Sequence, residues 1–380
     1  MATLPLSGIR ILDLSRVLAG PLAAMTLGDL GADVIKVERP AEGDETRGWG
    51  PPFDLRGESA YYLSVNRNKL SVALDLDAAA DLRLLLELIS EADVVLDNFR
   101  PGTLERRGVV PLTCLEAQPR LIWCTVTGFG EMSTRLGYDF VVQAESGWMA
   151  ITGEPDGAPM KIGVALADVT AGKDAAIAIL AGLAGRSHRR GAHERRIFIS
   201  LAASAVAALV NVAQNTLVSG RDASRWGNAH PNLVPYELFE ASDRPLVIAV
   251  GSDAQWRSCA LALGLGDLAA DSGLATNAGR LANRTRVVDA IRKRVAERPA
   301  AEWLVALAAA GVPAGIVRSV REALTDVEAS PLTGVAPSVP GAVRHPPPML
   351  DEHGPLVRAR GWGAFHPNAR EMTGSDALHR

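Results

Sequence analysis

One carboxylate stands among side chains that offer it little company. In GVALADVTAGKDAAIAILAGL, residues 163–183, the first half is nearly free of polar side chains, yet it carries Asp168 between Ala167 and Val169. Two chemistries suit an aspartate there. It can cap a helix, because Ala175, Ile177, Leu180 and Leu183 follow at helical spacing and a helix start has free N–H groups to satisfy. It can also be a covalent nucleophile at the mouth of a ligand site. On local sequence alone the cap is the commoner role. A second group of residues is basic. Arg16, Arg39, Arg47, Arg67, Lys69, Arg100 and Arg106 occur in short Gly-, Pro- and Asn-containing segments such as SRVLAGP (15–21), NRNK (66–69) and DNFRPG (97–102). Gathered at one edge of a fold they make an anion-binding rim suited to a phosphate-bearing ligand.

These residues need a scaffold, and the first 130 positions supply one. Short β-branched or apolar runs at 9–14 (IRILDL), 33–38 (DVIKVE), 70–76 (LSVALDL), 93–99 (DVVLDNF) and 121–127 (LIWCTVT) predict strands. Between them, 21–31 and 77–92 predict helices, the second capped by Asp77. Repeated strand–helix–strand units predict an α/β fold with a doubly wound parallel sheet, whose ligands gather at the carboxyl ends of the strands. The basic loops fall at those ends. No G-x-G-x-x-G follows the first strand, where VLAGP stands instead, which argues against nicotinamide and flavin cofactors. After Gly220 the chain turns rich in Gly, Pro and Asn, then predicts a hairpin and helices at 284–297 and 300–311. The expected organisation is a large α/β domain over 1–224, a smaller α+β domain over 225–320, and a C-terminal segment, 321–380, returning to the first.

Composition narrows the partners. With 380 residues, 48% hydrophobic and a formal net charge of -4, the chain has no global attraction for nucleic acid or acidic membranes. An anionic ligand must therefore be a small one met by local basic groups. Cys114, Cys124 and Cys259 are odd in number and far apart, and fit neither a disulfide framework nor a metal site. The opening MATLPLSGIR lacks the pattern of a signal peptide, so a cytoplasmic protein is expected. The apolar run 200–220 is interrupted by Ser204, Asn211, Gln214 and Asn215, and predicts a buried helix of small residues packed closely against neighbours or a second subunit rather than a membrane span.

Taken together, GIRILDLSRVLAGPLAAMTLGDLGADVIKVERPAEGDETRGWGPPF, NRNKLSVALDL, DVVLDNFRPGTLERRG, GYDFVVQAESGWM, GVALADVTAGKDAAIAILAGL and GNAHPNLVPYELFEASD resemble, in order, the class III CoA-transferases. The resemblance implies a Rossmann-like large domain, chains interlaced in a homodimer, no permanently bound cofactor, and coenzyme A thioesters as substrates together with a small carboxylic acid. It implies that Asp168 attacks the thioester, passing through aspartyl anhydride and aspartyl-CoA species. It places Arg39, Asn68, Lys69, Asn98, Phe99, Arg100, Arg106, Tyr138 and Asp139 at positions bordering CoA, and Leu18, Trp49 and Gly251 near the acyl site. GSDAQ (251–255) stands where family members carry a loop that closes over the site.

Two departures bear on the substrate. Leu18 replaces the glutamine of formyl-CoA transferases, and the glycine-dense lid of those enzymes is missing. An α-methylacyl-CoA racemase shares the fold and moves a proton instead of CoA. Such enzymes carry His in the motif written here as Gly137-Tyr138-Asp139, and a tyrosine in its place does not supply the imidazole that the task calls for. A CoA-ester binding protein without turnover would not need Asp168.

Overall fold

A computed structural model of the chain describes residues 3–188 and 191–365. Its largest sheet has six strands, β1 (Arg10–Asp13), β2 (Asp33–Glu38), β3 (Lys69–Ala73), β4 (Val94–Asp97), β5 (Ile122–Thr127) and β6 (Arg196–Ser200). They lie in the order β3-β2-β1-β4-β5-β6, and every pairing is parallel. Helices cover both faces, so β2 and β3 are buried at every residue and read as continuous runs rather than alternating ones. This is the expected α/β, doubly wound arrangement. One apolar layer joins Ile11, Val34, Val94 and Ile122 to the helices Ala19–Asp29 and Leu166–Ala184. The other joins Leu12, Ile35, Val95 and Trp123 to the helix Ala79–Glu91.

The strand order reverses between β1 and β4, which opens a crevice beyond their carboxyl ends. Asn98 ties the two loops there. Its side-chain Oδ1 accepts from Arg16 N–H at 3.0 Å and its Nδ2 donates to Arg16 C=O at 2.8 Å.

Two expectations change. Asp77 is not a cap: the helix starts after Ala78, and the Asp77 carboxylate pairs with Arg107 at 2.8 Å. The apolar run 200–220 is not one buried helix. It forms Leu201–Ala207 and Asn211–Ser219, bent by 73°, with Val210 between them at a φ of 43°. The second helix buries none of its residues. Among the described residues no single helix is long and apolar enough to cross a membrane.

The chain divides into two compact units. The first comprises the segments up to Trp148, Lys161–Ser219 and from Val327 on; the second comprises Met149–Met160 and Gly220–Asp326. In the second, the antiparallel strands β7 (Tyr236–Glu240), β8 (Pro245–Ala249) and β9 (Ala314–Ile316) pack on the helices Asp253–Ala262, Arg284–Val295 and Ala300–Ala309 around Trp256, Ile291 and Trp303.

Beneath the crevice in the first unit lies a set of charges closed to solvent. Lys69 Nζ donates to Asp13 Oδ2, Pro21 C=O and Asn66 Oδ1, each at 2.9 Å. Lys36 Nζ donates to Ser15 C=O at 2.9 Å and Asp44 Oδ2 at 3.0 Å. Both ammonium groups and both carboxylates are fully buried as side chains. Burial alone would raise the Asp13 carboxyl, but Lys69 and Lys36 hold it below the ordinary carboxylate range. Burial brings Lys69 down to about 8 against the attraction of Asp13. Removing one partner strands the other, which sets the expected cost. Lys69→Ala is expected to lower the unfolding free energy in urea by about 3–5 kcal/mol. Arg39→Ala, which loses only an exposed pair with Glu42, is expected to change it by less than about 0.5 kcal/mol. Equal effects would contradict the network's role.

Candidate active site

Asp168 lies in the first turn of the 19-residue helix Leu166–Ala184, which follows Ala165 without a cap from its own segment. The cap comes from elsewhere. Asp139 Oδ1 accepts from Ala167 N–H at 2.8 Å and more loosely from Asp168 N–H at 3.4 Å, while its Oδ2 accepts from Gln143 Nε2 at 2.7 Å. Asp139 thus does the work that the sequence suggested for Asp168. Among the described residues nothing donates to the Asp168 carboxylate. Burial first, and the negative Asp139 second, push its pKa up to about 7. A desolvated carboxylate with few partners is a more basic and more reactive oxygen nucleophile than one in water.

The helix reaches this position by close packing. A Cβ on Gly172 would stand 2.6 Å from Ala19 C=O, so only glycine lets the two helices meet there. The same holds where Gly128 and Gly137 touch backbone to backbone, a Cβ on Gly137 falling 2.1 Å from Gly128 Cα. These contacts close a cavity of about 160 Å³ whose wall includes Arg16, Leu18, Ala19, Phe99, Arg100, Gly128, Arg135, Gly137, Tyr138 and Asp168. Tyr61 is a neighbour that sequence reading missed. Its hydroxyl is raised to about 12 by burial and then by Asp168 and Asp139, which places it in their field. Trp49, 41% exposed, packs edge-on against Tyr61 with centroids 5.1 Å apart. The adjacent pair Tyr61-Tyr62 carried no signal in the sequence that separated the half-buried first ring from the fully buried second.

A larger cleft of about 620 Å³ lies over the ends of β1 to β4 and is walled by Arg16, Arg39, Asp75, Asp77, Phe99, Arg100 and Arg107. Arg16, Phe99 and Arg100 belong to both walls, so the two spaces meet at these side chains. Arg100 is exposed and, among the described residues, its guanidinium has no protein partner. Asn98 spends its amide on the Arg16 backbone. Arg106 is exposed but outside these walls, and its neighbour Arg107 takes the place expected of it.

Asn68 and Lys69 must be removed from the ligand-facing set. Both are 0% exposed. All three Lys69 donors are used internally, and Asn68 holds Asp29, Ala342 and the Arg344 and His345 N–H groups. Arg47 and Arg67 leave the expected rim for the same reason, paired with Glu38 and Glu58 and with Asp29. Gly251 belongs to the second unit, where its N–H donates to Gln255 Oε1 at 2.9 Å before the helix Asp253–Ala262.

The site therefore offers an under-solvated carboxylate beside a small cavity, joined to a cleft with an unpaired Arg100, three arginines in partly exposed ion pairs and an aromatic ring. It suits a long anionic ligand with a reactive end. Comparisons agree. The sequence model of CoA-transferase family III matches residues 6–353. The chain is 42% identical to the succinyl-CoA:glutarate CoA-transferase of Mus musculus, over 92% of this chain and 84% of that one. It is 43% identical to the succinate–glutarate CoA-transferase of Agrobacterium fabrum, over 85% and 82%. The crystal structure of a CAIB/BAIF family protein from Brucella suis superposes with a TM-score of 0.82 at 38% identity, covering 94% of this chain and 99% of that one.

The raised Asp168 pKa carries a stability consequence of definite sign. With a folded value of about 7 against the ordinary 3.8, the fold opposes ionisation. The cost is absent below about pH 4, grows as pH rises, and is complete above about 7. Asp168→Asn is therefore expected to raise the unfolding free energy by about 1–3 kcal/mol at pH 8 and to leave it unchanged at pH 4. Urea titrations at the two pH values check this; a loss at pH 8 would mean that the carboxylate is stabilised by contacts.

Proposed function

Because the chain belongs to CoA-transferase family III, we propose that it moves CoA from an acyl-CoA to a free dicarboxylic acid of the succinate and glutarate class, with Asp168 as the covalent nucleophile. The observation that carries this reading is the Asp168 carboxylate itself, raised to about 7 by burial and by Asp139, in the wall of a cavity that meets the cationic cleft. Its oxygen attacks the thioester carbonyl, the C–S bond breaks, and CoA leaves as thiolate, giving a mixed anhydride. The thiolate then attacks the aspartyl carbonyl and releases the first acid as carboxylate. The second acid reverses both steps, so atoms and charge return to the start. Arg39, Phe99 and Arg100 hold CoA, while Leu18, Tyr61, Trp49 and Tyr138 surround the acyl group. The loop Val17–Ala19 lies in the wall, and N–H groups at the start of the helix Ala19–Asp29 face no capping side chain, which suits an oxyanion.

Among the described residues no histidine stands in the walls of these two cavities, which supports transfer over racemisation. All three cysteines are free, as suits the cytoplasm. The homodimer also remains a proposal. Support comes from Val210, Leu217 and Val218, which are 69%, 77% and 78% exposed on and before a helix with no buried residue.

Trapping tests the nucleophile. Incubation with succinyl-CoA alone, then hydroxylamine, is expected to convert Asp168 to a hydroxamate located by peptide mass spectrometry. Asp168→Asn should lose transfer by several orders of magnitude, because an amide cannot form the anhydride. A label on another carboxylate, or near-normal transfer in the variant, would overturn the assignment. Sedimentation tests the dimer: a stable, active monomer at micromolar concentration would remove it.

A further inference from the structure

The Arg16 side chain is built like half of an interaction. Among the described residues its Nε is buried without a hydrogen-bond partner, while the side chain as a whole is 31% exposed. The Nε atoms of Arg107, Arg186 and Arg344 are left in the same way, but of the four only Arg16 borders the Asp168 cavity. Its one ion-pair partner among the described residues, Glu45, is held at 3.3 Å and 3.4 Å from one nitrogen, Nη1, rather than in the shorter two-pronged geometry that arginine and carboxylate prefer. Other arginines of the same unit do reach that geometry: Arg67 meets Asp29 through Nε at 2.9 Å and Nη2 at 2.7 Å.

Everything else about Arg16 is fixed. Its backbone is clamped in both directions by Asn98, and its guanidinium lies over the Phe99 ring at 5.6 Å. The adjoining Val17 holds a φ of 73°, with its N–H donated to Asp44. Arg16 and Glu45 both border the Asp168 cavity, and Arg16 borders the larger cleft as well. A rigid cation therefore sits where the two spaces join, with one donor unused and a loose carboxylate beside it.

We infer that Arg16 receives an oxyanion of the bound ligand through its terminal nitrogens, and that Glu45 is a placeholder which this anion displaces. The inference rests on the transfer reading above and adds to it the residue that fixes the anionic end of the ligand. The shared chemistry is a carboxylate or phosphate oxygen pair. It has two sources: the far carboxylate of a dicarboxylic acid, or a phosphate of CoA.

Steady-state kinetics with the full-length protein separate them, using succinyl-CoA as donor and either glutarate or pentanoate, its monocarboxylate counterpart, as acceptor. Arg16→Gln is expected to raise one KM about tenfold or more. A rise for glutarate but not pentanoate identifies the far carboxylate; because succinyl-CoA carries such a carboxylate itself, a phosphate is identified by an equal rise for butyryl-CoA, its counterpart without one. In either case Glu45→Gln is expected to lower that same KM, because the competing carboxylate is gone. A purely structural pair would fail together, so Glu45→Gln raising the KM as Arg16→Gln does would overturn the inference, as would unchanged KM values in Arg16→Gln. Calorimetric titration with glutarate and with CoA gives the same comparison without turnover, and thermal melts identify any variant that does not fold. Hydroxylamine trapping on each variant keeps the two proposals apart: a label at Asp168 with no KM change overturns only the role of Arg16, whereas no label in the unsubstituted protein overturns the nucleophile.

Discussion

The buried ammonium groups of Lys36 and Lys69 are the constraint on which the site's geometry rests. Each cation in an interior of low polarity demands compensation, and that demand is met by fixing main chain and carboxylates around it. Lys36 holds Ser15 C=O and Asp44; Lys69 holds Asp13 and Pro21 C=O. Asp13 in turn accepts from the Ser15 N–H and hydroxyl. The loop after β1 is thereby gripped at both ends, and it enters the cavity as a fixed wall. Val17 can keep its left-handed backbone, costly for a β-branched residue, because the surroundings over-determine it. A water-filled substitute for this network would leave Leu18 and Ala19 free to move.

Much of the scaffold was legible in the residues. Strand β2 matches its predicted run end to end, and β1, β4 and β5 lie inside theirs, because β-branched and apolar runs bounded by polar turns have few other uses. The direction of charged side chains was not legible. NRNK and DNFRPG have similar composition, yet Lys69 is sealed inside while Arg100 faces solvent. Composition reports that a loop carries charge; only the tertiary partners decide which way it points. Asp13, Asp29 and Asp44, scattered over three segments, are those partners. The cap on the Asp168 helix was hidden for a similar reason. Asp139 lies 29 positions before Asp168, beyond any local capping pattern. The break at Val210 also escaped notice, since neither Gly nor Pro marks it.

Small residues set the distances at the site. Gly172 against Ala19 and Gly128 against Gly137 bring backbones into contact where any side chain would intrude. The result is that Asp168 is placed by helices and main chain rather than by its own hydrogen bonds. That leaves the carboxylate unencumbered, and it leaves Asp139 with two effects. The carboxylate that caps the helix also supplies the negative field that raises Asp168, and an asparagine there would keep the cap and remove the field.

A group whose charge the fold resists makes the empty protein the tense member of any cycle that passes through it. In the proposed reaction, turning the Asp168 carboxylate into an uncharged acyl derivative would abolish the repulsion from Asp139 and the cost of desolvating an anion in the same event. Part of the energy needed to make a high-energy acyl bond would then be recovered as relaxation of the surrounding protein. Above neutral pH the proposed adduct would therefore unfold less readily than the resting protein.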